Sequence, residues 1–361
     1  MDEKYMLRAI ELAMKGEGSV NPNPLVGAVI VKNNKIIGEG YHKRYGDNHA
    51  EVNAFENAKE DVKGATMYVT LEPCSHYGKT PPCAKRVIEE GINKIIIGSN
   101  DPNPLVSGKG IEMMRKAGIE VVTEFLKEKC DEINEVFMKY IVDKKPYVLM
   151  KCAMSLDGKI ATVTGDSKYI SSEESRAEVH RLRNKYKGIM VGVNTIINDN
   201  PKLTCRLEGG RNPIPIVVDS NLRTPIDSYI VKNANELNTI IATISNDDDR
   251  KNEYINKGVN VIQVNSENNR VDLNDLMDKL GKLKIDGILL EGGAELNYSA
   301  LESKIVDKVC MYIAPKIIGG KEAKTPVSGS GILSLKQAYC LKDMNIRKVG
   351  CDVVIEGKIG D

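Results

Sequence analysis

The segment EPCSHYGKTPPC (72–83) places two cysteines on either side of an eight-residue insert that contains Gly-Lys-Thr. Paired cysteines can form a disulfide or bind a metal ion, and Gly-Lys-Thr occurs in phosphate-binding loops. A phosphate loop needs a glycine five residues before Gly78, but that position is Pro73. A disulfide is disfavoured because the sequence predicts a reducing compartment. A metal site therefore remains.

A histidine and a glutamate in the segment DNHAEVNAFENAKE (47–60) complete the pattern. The alanines of this segment recur at every fourth position, which predicts that His49 and Glu51 lie near the amino end of a helix. His-x-Glu followed by Pro-Cys and a second Cys is the pattern of zinc deaminases, in which water takes the fourth coordination position. The pattern predicts one zinc ion per chain, bound by His49, Cys74 and Cys83.

Glu51 is predicted to carry protons and not to bind the metal. Two thiolates largely cancel the charge of the zinc, which then acidifies its water less than an all-histidine site would. A carboxylate within hydrogen-bond reach can take a proton from that water and pass one to the departing amine. The alternative is a structural zinc site, but such a site usually has four protein ligands.

Local patterns predict the elements that carry the two cysteines. The run ATMYVTLE (65–72) has the composition of a β-strand. Thr80 is predicted to cap a helix whose first turn contains Pro81 or Pro82. Cys83 would then lie in the first helical turn, where the helix dipole favours a thiolate.

A β-hairpin is predicted for VGAVIVKNNKIIGEGYH (26–42), with its turn at Asn33 and Asn34. Asn23 precedes the first strand and His42 follows the second. Both side chains can therefore face the metal from the ends of strands.

Length and composition indicate the number of domains and limit the classes of partner. At 361 residues the chain is long enough for two domains, and its 41% hydrophobic and 28% charged residues are ordinary for a globular protein. The net charge of +1, three Phe and no Trp argue against a nucleic-acid partner. No segment has the apolar length of a membrane span or signal peptide, which predicts a cytoplasmic protein without a membrane partner.

The character of the chain changes near residue 144, which predicts domains over 1–144 and 145–361. Beyond the boundary, apolar strand-like runs alternate with helical stretches, a pattern typical of an α/β sheet. The run ILLEGGAELNYSALES (288–303) predicts a strand, a glycine pair and a helix. Such a turn can bind a pyrophosphate, although a tight strand-to-helix connection explains the glycines almost as well.

Several motifs resemble the bacterial bifunctional riboflavin-biosynthesis deaminase/reductases. In the first half they are NPNPLVGAVIV (21–31), HAEVNA, TLEPCSHYGKTPPC and DPNPLVSGKGI (101–111). The resemblance implies a cytidine-deaminase-like α/β/α domain that hydrolyses the amino group of 2,5-diamino-6-ribosylamino-4(3H)-pyrimidinone 5′-phosphate. Carried over by position, the expected substrate contacts are Asn23, His42, His76, Lys79 and Asn103.

The second half is similar to the reductase half of the same family in KCAMSLDGKIA (151–161), RLRNKYKGIMVGVNTIINDNPKLTCR (181–206) and YIAPKIIGG (312–320). The resemblance implies a dihydrofolate-reductase-like α/β domain that uses NADPH to reduce the ribosyl group to ribityl. Implied substrate contacts are Ser167, Arg183, Leu203, Arg206 and Glu291, with Lys151 as a possible proton donor. Implied cofactor contacts are Ala153, Tyr169, Thr195, Asp199, Ser220, Gly293, Ala294, Glu295, Leu296, Asn297, Tyr298 and Ser299.

Arg223, three residues past Ser220, could meet the 2′-phosphate of NADPH, although a surface arginine is the simpler explanation. The partners implied are small phosphorylated pyrimidines and further copies of the chain, as a dimer or tetramer. The sequence leaves two other functions open. A deaminase acting on nucleic acid would leave the second domain unexplained, and a non-catalytic zinc and nucleotide sensor would tolerate the loss of Glu51.

Overall fold

The structure is a computed structural model that describes residues 2–75, 81–103 and 107–360. The chain divides into two compact units, Met1–Lys144 and Lys145–Asp361. Within the described parts of the chain, no helix has both the length and the apolar character needed to cross a membrane.

The first unit is built on a five-stranded mixed sheet. Its strands are β1 (Gly27–Lys32), β2 (Lys35–Tyr41), β3 (Thr66–Leu71), β4 (Lys94–Ser99) and β5 (Glu120–Val122). They lie in the order β2-β1-β3-β4-β5; β1 is antiparallel to both neighbours, whereas β3, β4 and β5 are parallel. The helices described here are α1 (Glu3–Met14), α2 (Ala50–Glu56), α3 (Cys83–Glu89), α4 (Lys109–Lys116), α5 (Lys127–Ile133) and α6 (Glu135–Asp143).

Helices cover both faces of this sheet because its strands are apolar on both sides. Ala28 and Ile30 of β1 pack with α2, α3 and α4 on one face. Val29 and Val31, which point the other way, pack with α1 and α5. The unit is therefore an α/β/α sandwich, and the ends of its strands and helices meet at the site described below.

The second unit is built on a nine-stranded sheet. Its strands are β6 (Tyr147–Ser155), β7 (Gly188–Gly192), β8 (Ile214–Val218), β9 (Ile240–Thr243), β10 (Asn260–Gln263), β13 (Gly287–Leu290), β14 (Lys308–Ala314), β15 (Cys340–Val349) and β16 (Asp352–Gly360). A separate two-stranded hairpin comprises β11 (Ser266–Glu267) and β12 (Arg270–Val271). The helices described here are α7 (Glu173–Lys185), α8 (Val193–Asp199), α9 (Tyr229–Lys232), α10 (Ala234–Leu237), α11 (Asp248–Ile255), α12 (Leu273–Lys282) and α13 (Ala294–Glu302).

The strand order in the large sheet is β10-β9-β8-β7-β13-β6-β14-β16-β15. All pairs from β10 to β14 are parallel, and the last two pairs are antiparallel. Met190 of β7 packs with α12 and α13, whereas Ile189 and Val191 pack with α8 to α11 on the other face. Parallel strands covered on both faces explain the continuous apolar runs in the sequence.

The predicted start of the helix that carries Cys83 needs correction. The helix begins at Cys83 itself, and its N-cap is Pro82 without a side-chain capping bond. Prolines 81 and 82 therefore precede the helix, and Thr80 lies outside the described residues. Strand β15 has no signal in the sequence, because it is exposed along nearly its whole length and lacks an apolar run.

Candidate active sites

The start of α2 carries the histidine and the glutamate of the first unit. His49 is the N-cap residue of α2, but its side chain makes no capping hydrogen bond, and Glu51 lies in the first turn. Gly40 of β2 permits the helix to approach, because a Cβ there would lie 2.3 Å from the carbonyl oxygen of Ala50. A close strand-to-helix contact thus places the imidazole beside the sheet.

The three predicted metal ligands converge. The Nδ1 atom of His49 lies 3.3 Å from Cys83 Sγ and 3.6 Å from Cys74 Sγ. One potential ligand atom from each residue falls within 4.8 Å of the other two. The backbone N–H of Cys83, at the start of α3, donates to Cys74 Sγ at 3.3 Å. One imidazole and two sulfurs in this arrangement fit three of the four positions of a tetrahedral zinc site.

The side chains of His49, Cys74 and Cys83 shift one another's pKa values. The hydrogen bond from Cys83, followed by that from His49, lowers the pKa of the Cys74 thiol although burial opposes the change. The hydrogen bond to Cys74, together with burial, raises the pKa of Cys83. The hydrogen bond with Cys74 also raises the pKa of His49 to about 9. The cluster thus favours a thiolate beside a cation, and metal binding would release these protons.

Glu51 is buried against this cluster, with 3% of its surface exposed. Burial raises the pKa of its carboxyl group, and this effect outweighs the lowering caused by His49. Cys83 also hydrogen-bonds with the Glu51 side chain. A buried carboxyl group with a raised pKa, next to three ligand atoms, is placed to hold and release a proton.

Asn23 and His42 lie together beside the ligands. The Nδ2 atom of Asn23 is 3.2 Å from Nε2 of His42, whose Nδ1 is 3.0 Å from the carbonyl oxygen of Asn48. Since Nδ1 donates to that carbonyl, Nε2 accepts from the Asn23 amide. The rings of His42 and His49 are 5.5 Å apart and nearly perpendicular. Burial lowers the pKa of His42, which favours the neutral ring.

The remaining predicted substrate contacts are His76, Lys79 and Asn103. His76 and Lys79 are outside the described residues. Asn103 is half-buried, and its backbone N–H donates to Asp101 Oδ1 at 2.8 Å.

Glu72, which the sequence analysis did not single out, fixes the loop that contains Asn103. Its Oε2 atom accepts from the backbone N–H groups of Asp101 at 3.4 Å and of Gly108 at 3.1 Å. The start of α4 is also close, because a Cβ on Gly110 would lie 2.4 Å from the carbonyl oxygen of Pro73. A buried carboxylate directly before Pro73-Cys74 therefore connects the cysteine-bearing segment to this loop.

The second unit contains a cleft of ≈ 1180 Å³ at the carboxyl ends of β7, β8 and β13. Ligands of open α/β sheets bind at such strand ends. The predicted residues that line it are Ser167, Thr195, Asp199, Ser220, Glu291, Gly293, Ala294, Glu295, Leu296 and Ser299.

The turn between β13 and α13 forms one wall of the cleft. Thr195 Oγ1 donates to the carbonyl oxygen of Gly292 at 3.1 Å, which joins the turn to the start of α8. A Cβ on Gly292 would lie 2.0 Å from Oδ1 of Asn297, so glycine is required there. Asn297 itself is buried and donates to Pro326 O at 2.8 Å and to Cys152 Sγ at 3.2 Å. It packs beneath the turn and does not line the cleft.

Arg183 and Glu291 form a bidentate ion pair at the edge of this cleft. Nε and Nη2 of Arg183 donate to the two carboxylate oxygens at 3.0 and 2.8 Å, and Nη1 donates to Thr204 O at 3.1 Å. Burial would raise the pKa of Glu291, but Arg183 and Lys151 outweigh it and lower the pKa to about 2. The guanidinium of Arg183, an implied substrate contact, is thus held by a carboxylate, and substrate binding through this group would require Arg183 to leave Glu291.

Other predicted contacts lie away from the cleft lining. Tyr169 is 70% exposed and its ring stacks under the guanidinium of Arg176. Leu203 is buried, with a left-handed backbone at φ 54, and Arg206 is exposed. The predicted reductase residues that do not line the cleft are Lys151, Ala153, Tyr169, Arg183, Leu203, Arg206, Asn297 and Tyr298.

Residues of the β11–β12 hairpin line the cleft although sequence reasoning overlooked them. Asn269 and Arg270 reach it from the turn and from β12. The turn residues Asn268 and Asn269 both have positive φ, at 50 and 59. An Asn-Asn pair between two short extended runs is a hairpin signal, and it is the pattern that could have revealed this element.

Comparisons with known proteins agree with this geometry. Residues 1–99 match the family model of the cytidine and deoxycytidylate deaminase zinc-binding region, and residues 146–355 match the RibD C-terminal domain. The riboflavin biosynthesis protein RibD of Actinobacillus pleuropneumoniae is 53% identical over 98% of this chain and 94% of that protein.

Two solved structures extend the likeness to the fold. Acinetobacter baumannii RibD is 33% identical with a TM-score of 0.89, covering 99% of each chain. A Thermotoga maritima protein, described as a diaminohydroxyphosphoribosylaminopyrimidine deaminase/5-amino-6-(5-phosphoribosylamino)uracil reductase, is 37% identical with a TM-score of 0.87. That comparison covers 99% of this chain and 98% of the Thermotoga chain.

A zinc-binding deaminase domain followed by a reductase domain defines a bifunctional deaminase/reductase of riboflavin biosynthesis. The predicted fold classes, and zinc and NADPH as cofactors, are confirmed. The chain belongs to the riboflavin biosynthesis protein RibD family.

Proposed function

We propose that the first unit deaminates 2,5-diamino-6-ribosylamino-4(3H)-pyrimidinone 5′-phosphate by hydrolysis. The second unit then reduces the ribosyl side chain with NADPH to give 5-amino-6-ribitylaminouracil 5′-phosphate. The description of the similar Thermotoga maritima protein supports this pair of reactions. The observation that carries the proposal is the convergence of His49, Cys74 and Cys83 beside a buried Glu51.

In the deaminase unit, His49, Cys74 and Cys83 hold the metal. Zinc, when bound, acts as a Lewis acid that acidifies the attacking water. Glu51 takes a proton from the water and passes one to the amine that leaves, a role that its raised pKa and burial support.

Asn23, His42 and Asn103 orient the pyrimidinone ring. The hydrogen bond between Asn23 and His42 fixes both side chains next to the ligand cluster. Glu72 supports Asn103 by holding the backbone at both ends of its loop. His76 and Lys79 stay predicted contacts, with Lys79 suited to the substrate phosphate because it is cationic.

In the reductase unit, the cleft would hold the cofactor. Backbone N–H groups at Gly293 and the start of α13 would attract its pyrophosphate, and Thr195, Asp199, Ser220 and Ser299 line the same cleft. NADPH supplies the hydride that adds to C1 of the opened sugar. Ala294, Glu295 and Leu296 also line the cleft. The cofactor contacts assigned by resemblance alone are Ala153, Tyr169, Asn297 and Tyr298.

The sugar phosphate lies where the cleft meets α7. Ser167 and Glu291 line the cleft there, and Arg206 offers an exposed guanidinium. Leu203 contributes its backbone, which the left-handed conformation turns away from the helix before it. Lys151, whose charge acts on Glu291, donates a proton to the sugar as its ring opens.

Chelation tests the metal assignment. Freshly purified protein is expected to contain one zinc per chain, and removal of the metal should abolish ammonia release. Zinc addition should restore both the metal content and the activity. NADPH oxidation with the deaminated intermediate is the internal control, since no metal ligand is proposed for the reductase unit. Full ammonia release from zinc-free protein would contradict the proposal.

A homo-oligomer is proposed from the edge of the large sheet. Met344 and Ile346 of the edge strand β15 are 61% and 63% exposed, and Leu333 and Leu335 before it are 97% and 90% exposed. An edge strand offers unpaired backbone groups, which two copies related by a two-fold axis can pair. This surface therefore fits a second copy of the chain.

Replacing both Met344 and Ile346 by Lys should convert the dimer to a monomer in light scattering. Each introduced lysine would have to bury its ammonium group in the interface, and the cost of removing that charge from water opposes dimer formation. Ile255→Lys, at a 52% exposed apolar position on α11, is the matched control and should stay dimeric. A wild-type monomer at micromolar concentration would exclude this interface.

The cytoplasm is the compartment proposed for both reactions. All eight cysteines are free thiols, and two of them are proposed zinc ligands. A reducing compartment keeps such thiols available to the metal.

A further inference from the structure

Two arginines line the reductase cleft and take no part in the proposed steps above. Arg223 follows β8 and Arg270 belongs to β12. Both line the cleft, together with Ser220 and Asn269. Two guanidinium groups that line the same cleft can form a site for an anion.

A direct hydrogen bond places the hairpin that carries Arg270. The backbone N–H of Val271 donates to Oγ of Ser220 at 3.3 Å, which attaches β12 to the carboxyl end of β8. Arg270 is the residue directly before Val271, and Arg223 is three residues after Ser220. Ser220 is therefore the point at which the two arginine-bearing segments meet.

A buried network fixes the turn that carries Arg223. One carboxylate oxygen of Asp219 accepts from both the N–H and the hydroxyl of Thr224 at 2.7 Å. The hydroxyl of the fully buried Tyr254 donates to Leu222 O at 3.1 Å, and Leu222 has a left-handed φ of 54. The turn is thus rigid before any ligand binds, which lowers the entropy cost of binding there.

In the contacts of the described chain, Arg223 pairs with a neutral side chain and Arg270 has only a long, exposed ion pair. The Nη2 atom of Arg223 donates to the neutral Asn194 side chain at 3.1 Å. The Nη2 atom of Arg270 lies 3.8 Å from Glu295 Oε2, with both side chains more than 60% exposed (63% and 67%). Such an exposed pair contributes little, so an incoming anion can replace it.

We infer that Arg223 and Arg270 form a clamp for the 2′-phosphate of the adenosine half of NADPH. The inference rests on the proposed placement of NADPH in this cleft. A phosphate monoester carries up to two negative charges and accepts paired N–H donors, which fits two guanidinium groups from separate segments. NADH has only a hydroxyl at this position and would leave both arginines without the charged partner. The hairpin is thereby the element that selects NADPH over NADH.

The clamp can be tested without turnover by measuring the binding of adenosine 2′,5′-bisphosphate and 5′-AMP by calorimetry. Arg223→Ala and Arg270→Ala should each weaken the bisphosphate about tenfold and leave 5′-AMP unchanged. The double variant should bind both ligands equally. Lysine at either position should restore part of the preference, because it keeps the charge but loses the fork.

Controls separate the clamp from the cofactor assignment. Arg181→Ala removes an exposed arginine of α7 that does not line the cleft, and it should bind both ligands as wild type does. Variants that keep the wild-type preference, or that lose both ligands equally, would overturn the clamp alone. A wild-type protein that does not distinguish the two ligands would overturn the placement of NADPH as well. In steady-state kinetics, Arg223→Ala and Arg270→Ala should each raise the KM for NADPH and leave the KM for NADH unchanged.

Discussion

Glu51→Gln is expected to lower the rate of ammonia release by roughly 10²–10⁴-fold while the zinc content stays at the wild-type level. Glutamine has nearly the same shape as glutamate but cannot accept and return a proton at neutral pH. The side chain is buried beside the three proposed ligands and is not one of the predicted ligands, so metal binding should survive. Ammonia release, zinc content and NADPH oxidation are measured on the same preparation.

Glu89→Gln provides the matched control. Glu89 is the last residue of α3 and is exposed, so the substitution changes the same functional group at the far end of the helix that begins at Cys83. It should leave ammonia release unchanged. Undiminished release from Glu51→Gln would remove the proton-transfer role. Loss of NADPH oxidation on the deaminated intermediate would contradict two separate sites.

Glu291→Ala is expected to destabilise the reductase unit by about 3–5 kcal/mol and to abolish NADPH oxidation. The variant leaves Arg183 without its carboxylate, and the two side chains are only 15% and 13% exposed. A buried charge without a partner costs far more than the loss of an exposed pair. Asp278→Ala breaks the ion pair with Lys145, in which the side chains are 40% and 49% exposed, and should cost about 0–1 kcal/mol.

The contribution of Glu291 to stability should also depend on pH. Its pKa is lowered to about 2 in the folded protein, from an ordinary value of 4.5. The stabilisation is therefore fully present above pH 4.5 and is lost as the pH falls toward 2, by about 3 kcal/mol in total. Urea unfolding of wild type and Glu291→Gln should give stability curves that converge over this range. A difference in unfolding free energy between the two proteins that stays constant from pH 3 to pH 7 would contradict a charged pair of Arg183 and Glu291.

The convergence of His49, Cys74 and Cys83 was predictable because each of these residues lies next to a local signal. His49 precedes an alanine-spaced helix, Cys74 follows an apolar strand and Cys83 starts a helix after two prolines. Strand ends and helix starts in an α/β fold meet at one edge of the sheet, so local signals were enough to predict that these side chains converge. The start of α3 was misplaced because a proline fits the first helical turn as well as the residue before it.

Contacts between distant segments could not be predicted. Arg183 and Glu291 are 108 residues apart, and nothing in either segment indicates that the arginine binds a carboxylate of its own chain. Glu72 was overlooked for a related reason, since its partners are backbone N–H groups that every residue except proline carries. The exposed strand β15 lacks the apolar run by which buried strands are recognised.

The two hydrogen bonds of Glu72 bear on how such enzymes can diversify. One carboxylate oxygen holds the backbone N–H groups of residues 101 and 108 in place. Asn103, a proposed contact to the pyrimidinone ring, lies between these two positions in the sequence, and a substitution of its side chain would leave both backbone hydrogen bonds intact. In the proposed site, base preference can therefore evolve at Asn103 while the residues proposed to hold the metal stay in place.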